Sequence, residues 1–204
     1  YAHMIIGDIY TQNIKDFENG IIYYNKALEL EYWDPQWVHD GLALAYLNLK
    51  EYDKSVKEIN KAIELSDDDY YNFLSRKINI MIADNNYSEA KKFIDELIEI
   101  NRKDPDGFYK RSVLFLFEKK YLKSLNQITL AIEKFRMNTD YFINDISGLN
   151  KLDIIDLIKL RAEIYKAIDK QNLACEDYEY ALRLNENPEK IEEIENLVVN
   201  LCQN

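Results

Sequence analysis

GLALAYLNLKEYDKSVKEINKAIEL, residues Gly41 to Leu65, is the stretch on which the architecture turns. With Trp37 just upstream, Leu42, Ala43, Leu44, Tyr46 and Leu47 form an apolar stripe at helical rather than strand spacing. A turn at Lys50-Glu51 follows. Tyr52, Val56, Ile59 and Ile63 then recur at intervals of four, three and four, which places them on one face of a second helix. Two amphipathic helices joined by so short a turn pack as an antiparallel pair.

The same pair recurs along the chain. Ala27, Ala62, Leu97, Ala131 and Ala181 align at separations of 35, 35, 34 and 50 residues. Ten residues before each stand Phe17, Tyr52, Tyr87, Tyr121 and Gln171, four of them aromatic. Seven before stand Gly20, Ser55, Ala90, Ser124 and Ala174, all small; three before stand Tyr24, Ile59, Ile94, Ile128 and Tyr178, all large. A small residue at a fixed position lets two helix axes approach within the usual 8–10 Å, and the neighbouring large ones fill the space beside the crossing. A fixed period of this length is the mark of a repeat architecture. Asp34-Pro35, Asp104-Pro105 and Asn187-Pro188 each set a capping side chain before a proline, so each is expected to open a first helix with Pro at its first position.

The pattern resembles the tetratricopeptide repeat (TPR) family. The resemblance is carried by Gly41–Leu65, by YKRSVLFLFEKKYLKSLNQITLAIE (Tyr109–Glu133) and by RAEIYKAIDKQNLACEDYEYALRLN (Arg161–Asn185). It is carried also by GDIYTQNIKDFENGIIYYNKALEL (Gly7–Leu30), which has one extra residue assigned to its inter-helix turn. Ile78 departs from the family's small residue, and Gln171 from its aromatic one. The implied fold is all-α, a right-handed α-α superhelix of about five helix pairs. Repeats are expected at about 1–34, 35–69, 70–103, 104–136 and 155–187, in one domain spanning 1–204. Residues 137–154 are the expected insertion, with its core in Met137–Asn150. The segment 188–203 is expected to be a helix capping the apolar end of the stack.

Composition agrees with a folded helical chain. The 204 residues include 47% hydrophobic and 31% charged positions, but only 5 Gly and 3 Pro, too few to punctuate an all-β domain. The net charge of −11 disfavours a sequence-independent grip on nucleic-acid phosphates. No apolar run approaches the roughly 20 residues of a membrane span, so neither nucleic acid nor membrane insertion is expected. Two cysteines, Cys175 and Cys202, make no disulfide framework and are expected as two packed thiols. The first residues show no basic stretch followed by an apolar one, so a cytoplasmic location is expected.

Catalytic chemistry finds no foothold in the motifs. His3 and His39 are far apart, and there is no HExxH, CxxC or phosphate-binding glycine loop. Asp67-Asp68-Asp69 and Glu192-Glu193 are read as solvated helix starts or faces, the former favoured by a helix dipole. No catalytic residue, metal or cofactor is assigned. The function expected is a non-catalytic scaffold or adaptor that holds an extended peptide or helix of another protein in a concave groove lined by first helices. The family's inner-wall positions fall on Trp37, Asp40, Leu44 and Asn48, on Asn72, Arg76 and Asn79, on Tyr109, Lys110, Val113 and Phe117, and on Lys159, Glu163 and Lys166. Asn can pair with a bound backbone through donor and acceptor, Trp and Tyr are frequent carriers of interface energy, and Arg76 and Lys110 form a basic pair in this lining. The family's clamp on acidic chaperone tails is not expected: Met4, Asp8 and Gly41 occupy its positions, Asp106 or Asp156 replaces a required Lys in later registers, and only Arg76 agrees. The alternative is a homo-oligomer, self-associating through the 137–150 insertion or through Val198 and Leu201 of the last helix.

Overall fold

The computed structural model describes residues 1–66, 68–137, 153–184 and 188–202, which are helical apart from short turns and contain no strand. Helix α1 (Ala2–Asp8) runs into a π-helical segment, Ile9–Ile14. It is followed by α2 (Phe17–Glu29), α3 (Pro35–Asn48), α4 (Tyr52–Glu64), α5 (Tyr70–Ala83) and α6 (Tyr87–Ile100). Then come α7 (Asp106–Phe117), α8 (Tyr121–Met137), α9 (Ile154–Ala167), α10 (Gln171–Leu184) and α11 (Pro188–Cys202). The chain forms two compact units, Tyr1–Phe93 and Ile94–Asn204.

In the first unit the apolar core comprises two groups. Tyr24, Ala27, Val38 and Leu42 make one; Ala43, Ile59, Ala62, Phe73 and Ile80 make the other. The second unit has one larger core in which Phe108, Ile128, Phe135, Leu157, Ile164, Tyr178 and Ile194 meet. The columns of small residues mark where paired helices touch. The Ser55 hydroxyl donates to the Ala43 carbonyl at 2.6 Å, and the Ser124 hydroxyl to the Ser112 carbonyl at 2.7 Å. A Cβ on Gly20 would lie 2.2 Å from the Thr11 hydroxyl oxygen and 3.5 Å from the Gly7 carbonyl. Only a small side chain fits such a crossing.

The turns carry the same period as the side chains. Lys15, Lys50, Asn85, Lys119 and Asp169 all have positive φ, between 57° and 63°, and none is glycine. At Lys50 the left-handed residue closes a Schellman motif: its N–H donates to the Leu47 carbonyl, and that of Glu51 to the Tyr46 carbonyl. Asn85, Lys119 and Asp169 repeat this arrangement with their neighbours.

Four expectations are corrected. The extra residue of the first pair is not held in the turn; it widens the end of the first helix into the π-helical segment, where the Asp16 N–H reaches back six residues to the Tyr10 carbonyl. Pro35 opens α3 as expected, but Pro105 precedes α7, whose Asp106 N–H is received by the Asp104 carboxylate at 2.8 Å. Cys175 and Cys202 are not two thiols: they form a disulfide with Cα atoms 5.7 Å apart, joining α10 to α11 across 27 residues. Val198 and Leu201 are not bare, since both pack against the core of the second unit. Residues 138–152, which hold nearly all of the expected insertion, lie outside the described residues.

Candidate functional site

The candidate surface is the set of first-helix positions, and each unit presents its own part. In the first unit Trp37, Asp40, Leu44 and Asn48 follow one another along α3 at helical spacing, as do Asn72, Arg76 and Asn79 along α5. Trp37 stands edge-on to Phe73, ring centres 5.0 Å apart, so it covers the next helix pair. Leu44 and Asn72 are partly exposed; Asn48 is exposed and donates its side-chain amide to the Leu44 carbonyl at 2.8 Å.

Arg76 does not stand ready for an anionic ligand. Its Nε and an Nη each donate to one oxygen of Asp40, at 2.9 and 3.0 Å, and both residues are about 95% buried. Burial opposes the charge on Arg76, yet the Asp40 carboxylate outweighs it and holds the guanidinium above its ordinary range. The pair is thus a self-contained fork. The one side chain that agreed with an acidic-tail clamp is consumed inside the chain.

Gly41 has its own reason to lack a side chain. A Cβ there would come within 2.4 Å of the Tyr24 ring, and one on Gly7 within 2.7 Å. Tyr24 is therefore slotted between two glycines, fully buried, with its hydroxyl donating to Asp8 Oδ1 at 2.8 Å. Burial, then the charge of Asp8, pushes the Tyr24 phenol far above its ordinary range. Burial likewise raises Asp8, Tyr24 pulls it back in part, and the charge of Asp40 raises it again. Among the described residues no cation pairs with Asp8.

In the second unit Lys110 is buried and bridges to Asp106 at 3.2 Å. Lys159 bonds Glu193 at 2.8 Å, Lys166 lies 3.9 Å from Glu163, and the Tyr178 hydroxyl donates to Glu163. Tyr109 packs on the core; burial and the charges of Asp156 and Asp106 raise its phenol. Val113 is partly exposed and Phe117 is exposed. The basic pair read from the sequence, Arg76 and Lys110, is neutralised within the chain.

Sequence reading did not single out the Asp8–Tyr24 pair as a candidate. The signal that points to them is the coincidence of two glycines, Gly7 and Gly41, with a tyrosine in a column otherwise filled mostly by Ile. His39, whose Nδ1 lies 2.7 Å from Glu58 Oε2, belongs to a helix-to-helix contact. Among the described residues, no three His, Cys, Asp or Glu side chains are grouped to hold a metal ion, and no helix is long and apolar enough to cross a membrane.

Residues 1–32 and 39–69 match the model of the tetratricopeptide repeat family. Among solved structures, a thermophilic TPR protein of Thermus thermophilus superposes with a TM-score of 0.71 at 12% identity, covering 98% of each chain. MamA from Desulfovibrio magneticus, from residue 41 to its end, gives 0.59 at 13% identity over 90% of this chain and 93% of that one. YrrB, described as a TPR protein with an unusual peptide-binding site, gives 0.51 at 13% identity over 95% and 90%. At these identities the likeness is one of fold. A search of curated proteins finds no match.

Proposed function

Because residues 1–32 and 39–69 match the tetratricopeptide repeat family and the fold is like that of solved TPR proteins, we propose that the chain acts as a non-catalytic interaction scaffold, and that the first-helix surface of its first unit holds a segment of a partner polypeptide carrying a cationic side chain. The observation behind the choice of charge is Asp8. Its carboxylate is partly buried, one oxygen is bonded only by the neutral Tyr24 hydroxyl, and the nearby Arg76 is spent on Asp40. Withdrawing a carboxylate from water without a counter-charge is costly, and a Lys or Arg of a bound segment offsets that cost. Leu44 and Asn72, partly exposed, and Asn48, exposed, lie on α3 and α5 of the same unit and supply apolar and main-chain-directed contacts to the segment. A net charge of −11 favours encounter with a basic segment.

The test is fluorescence anisotropy with a panel of labelled ten-residue peptides, matched except that Arg and Lys are replaced by Gln. The wild-type chain is expected to prefer the cationic members, and Asp8→Asn to lose that preference by about tenfold, the size of one charge-assisted hydrogen bond. Equal binding of cationic and neutral peptides by the wild type would sink the reading. Self-association through α11 is not favoured, since Val198 and Leu201 are packed.

A further inference from the structure

The column that holds an aromatic at Phe17, Tyr52, Tyr87 and Tyr121 holds Gln171 in the last pair. The Gln171 side-chain amide donates to the main-chain carbonyl of Leu201. That carbonyl is among the last of α11, which no N–H of its own helix reaches. One turn further along the same face of α10, Cys175 is bonded to Cys202. Two positions of α10, one turn apart, therefore fasten the carboxyl end of α11.

The remaining attachments are non-covalent. Ile194 is buried, and Leu197, Val198 and Leu201 pack on the second unit's core as partly exposed residues. The Lys159–Glu193 ion pair is largely exposed on its acidic side, where solvent screens it. The disulfide ties this helix covalently to α10. Both cysteines are partly exposed rather than sealed in the core, and exchange depends on such access for an attacking thiolate.

We propose that Cys175–Cys202 is a thiol–disulfide exchange site and that α11 is a latched cap, held on α10 when oxidised and freed when a dithiol reductant opens the bond. The reductant's thiolate attacks one Sγ, a mixed disulfide forms, and the other cysteine leaves as a thiolate that takes up a proton. The reductant's second thiol then attacks the mixed disulfide and releases the first cysteine. The chain gains two electrons and two protons as two thiols, and the dithiol becomes a disulfide. In a compartment poised to keep thiols reduced, such as the expected cytoplasm, the cap is loose; in an oxidising compartment it is closed. Freeing α11 opens to water the apolar seat now covered by Ile194, Leu197, Val198 and Leu201. The latch belongs to the second unit and stands apart from the peptide reading of the first.

The experiment compares the intact chain after oxidised glutathione with the same chain after dithiothreitol. Unfolding in iodoacetamide followed by mass spectrometry is expected to add no label to the oxidised chain and two labels to the reduced one. Hydrogen exchange of the folded forms is expected to speed up in Pro188–Cys202 on reduction, by a factor on the order of 100 for loss of a closure spanning 27 residues. Exchange in Tyr1–Phe93 is expected to stay as it was. Cys175→Ser kept in oxidant is expected to exchange like the reduced wild type, and the wild-type comparison stands by itself if that variant does not fold. Two labels after oxidant, equal α11 exchange in both forms, or a Cys175→Ser cap as protected as the oxidised one would each overturn the proposal.

Discussion

Gly41→Ala tests the slot that holds Tyr24. In an exposed helix interior this change stabilises, because alanine is better than glycine there by about 0.8–1 kcal/mol. Here the new Cβ would sit 2.4 Å from Tyr24 Cζ, 2.6 Å from Cε1 and 2.7 Å from the hydroxyl oxygen. Carbon atoms in contact prefer about 3.5–4.0 Å, so the ring must retreat by roughly 1 Å. Gly7 already touches the opposite side of the slot, and the Asp8 bond fixes the hydroxyl. Overpacking of this kind costs about 1–3 kcal/mol, and loosening the hydroxyl bond about 1 kcal/mol more. The balance against the helix preference is a destabilisation of about 2 kcal/mol. Both tryptophans, Trp33 and Trp37, lie in the first unit, so tryptophan fluorescence in urea reports that unit's unfolding. With a slope near 2 kcal/mol/M, the midpoint is expected to fall by about 1 M. In a Tyr24→Ala background the same Gly41→Ala change is expected to reverse sign and stabilise, which isolates the pairwise term. Stabilisation by Gly41→Ala in the wild-type chain would refute the reasoning.

Three further outcomes follow from the geometry. Arg76→Ala strands the Asp40 carboxylate in the core and is expected to cost about 3–5 kcal/mol in urea unfolding, whereas Arg76→Met with Asp40→Leu should cost less than the single change. Lys50→Gly relieves a side chain held at φ 61° and should raise stability by up to about 1 kcal/mol, measured the same way. Tyr24 has its phenol raised by burial and by Asp8, so its contribution is fully present below the ordinary tyrosine range near pH 10 and is lost as pH climbs above it, where the unfolded phenol ionises first. Urea midpoints between pH 9 and 11.5 are expected to fall with a shallower slope in Tyr24→Phe.

What could be read in advance was whatever repeats. The small residues at Ser55, Ser124 and Gly20 announced close helix crossings, because a short-range packing demand recurs at a fixed spacing, and the structure places each at such a crossing. The turn at Lys50-Glu51 was legible as the break between two apolar stripes, whereas its recurrence with a left-handed residue at Lys15, Asn85, Lys119 and Asp169 emerged only from the structure. The pairings that decide charge were not legible, because they join residues far apart in sequence: Arg76 finds Asp40 thirty-six positions away, and Lys159 finds Glu193 thirty-four away. Charge counted along α3 and α5 therefore suggested an available guanidinium where the fold leaves an uncompensated carboxylate, Asp8. The disulfide was invisible for a similar reason: Cys175 and Cys202 meet only once α11 folds back on α10. Gln171, read as a blemish in the aromatic column, serves that same fold-back.

The π-helical segment at Ile9–Ile14 bears on how this chain tolerates changes of length. A residue gained in a rigid helix swings everything before it by about 100° around the axis, which would carry Gly7 away from Tyr24. By widening a single coil of backbone, the segment soaks up the surplus and keeps Gly7 facing its ring. Among natural variants of this chain, gaps in an alignment should therefore fall inside the first helix, between Tyr10 and Lys15, and shortening that stretch by one position should restore an ordinary α-helical turn.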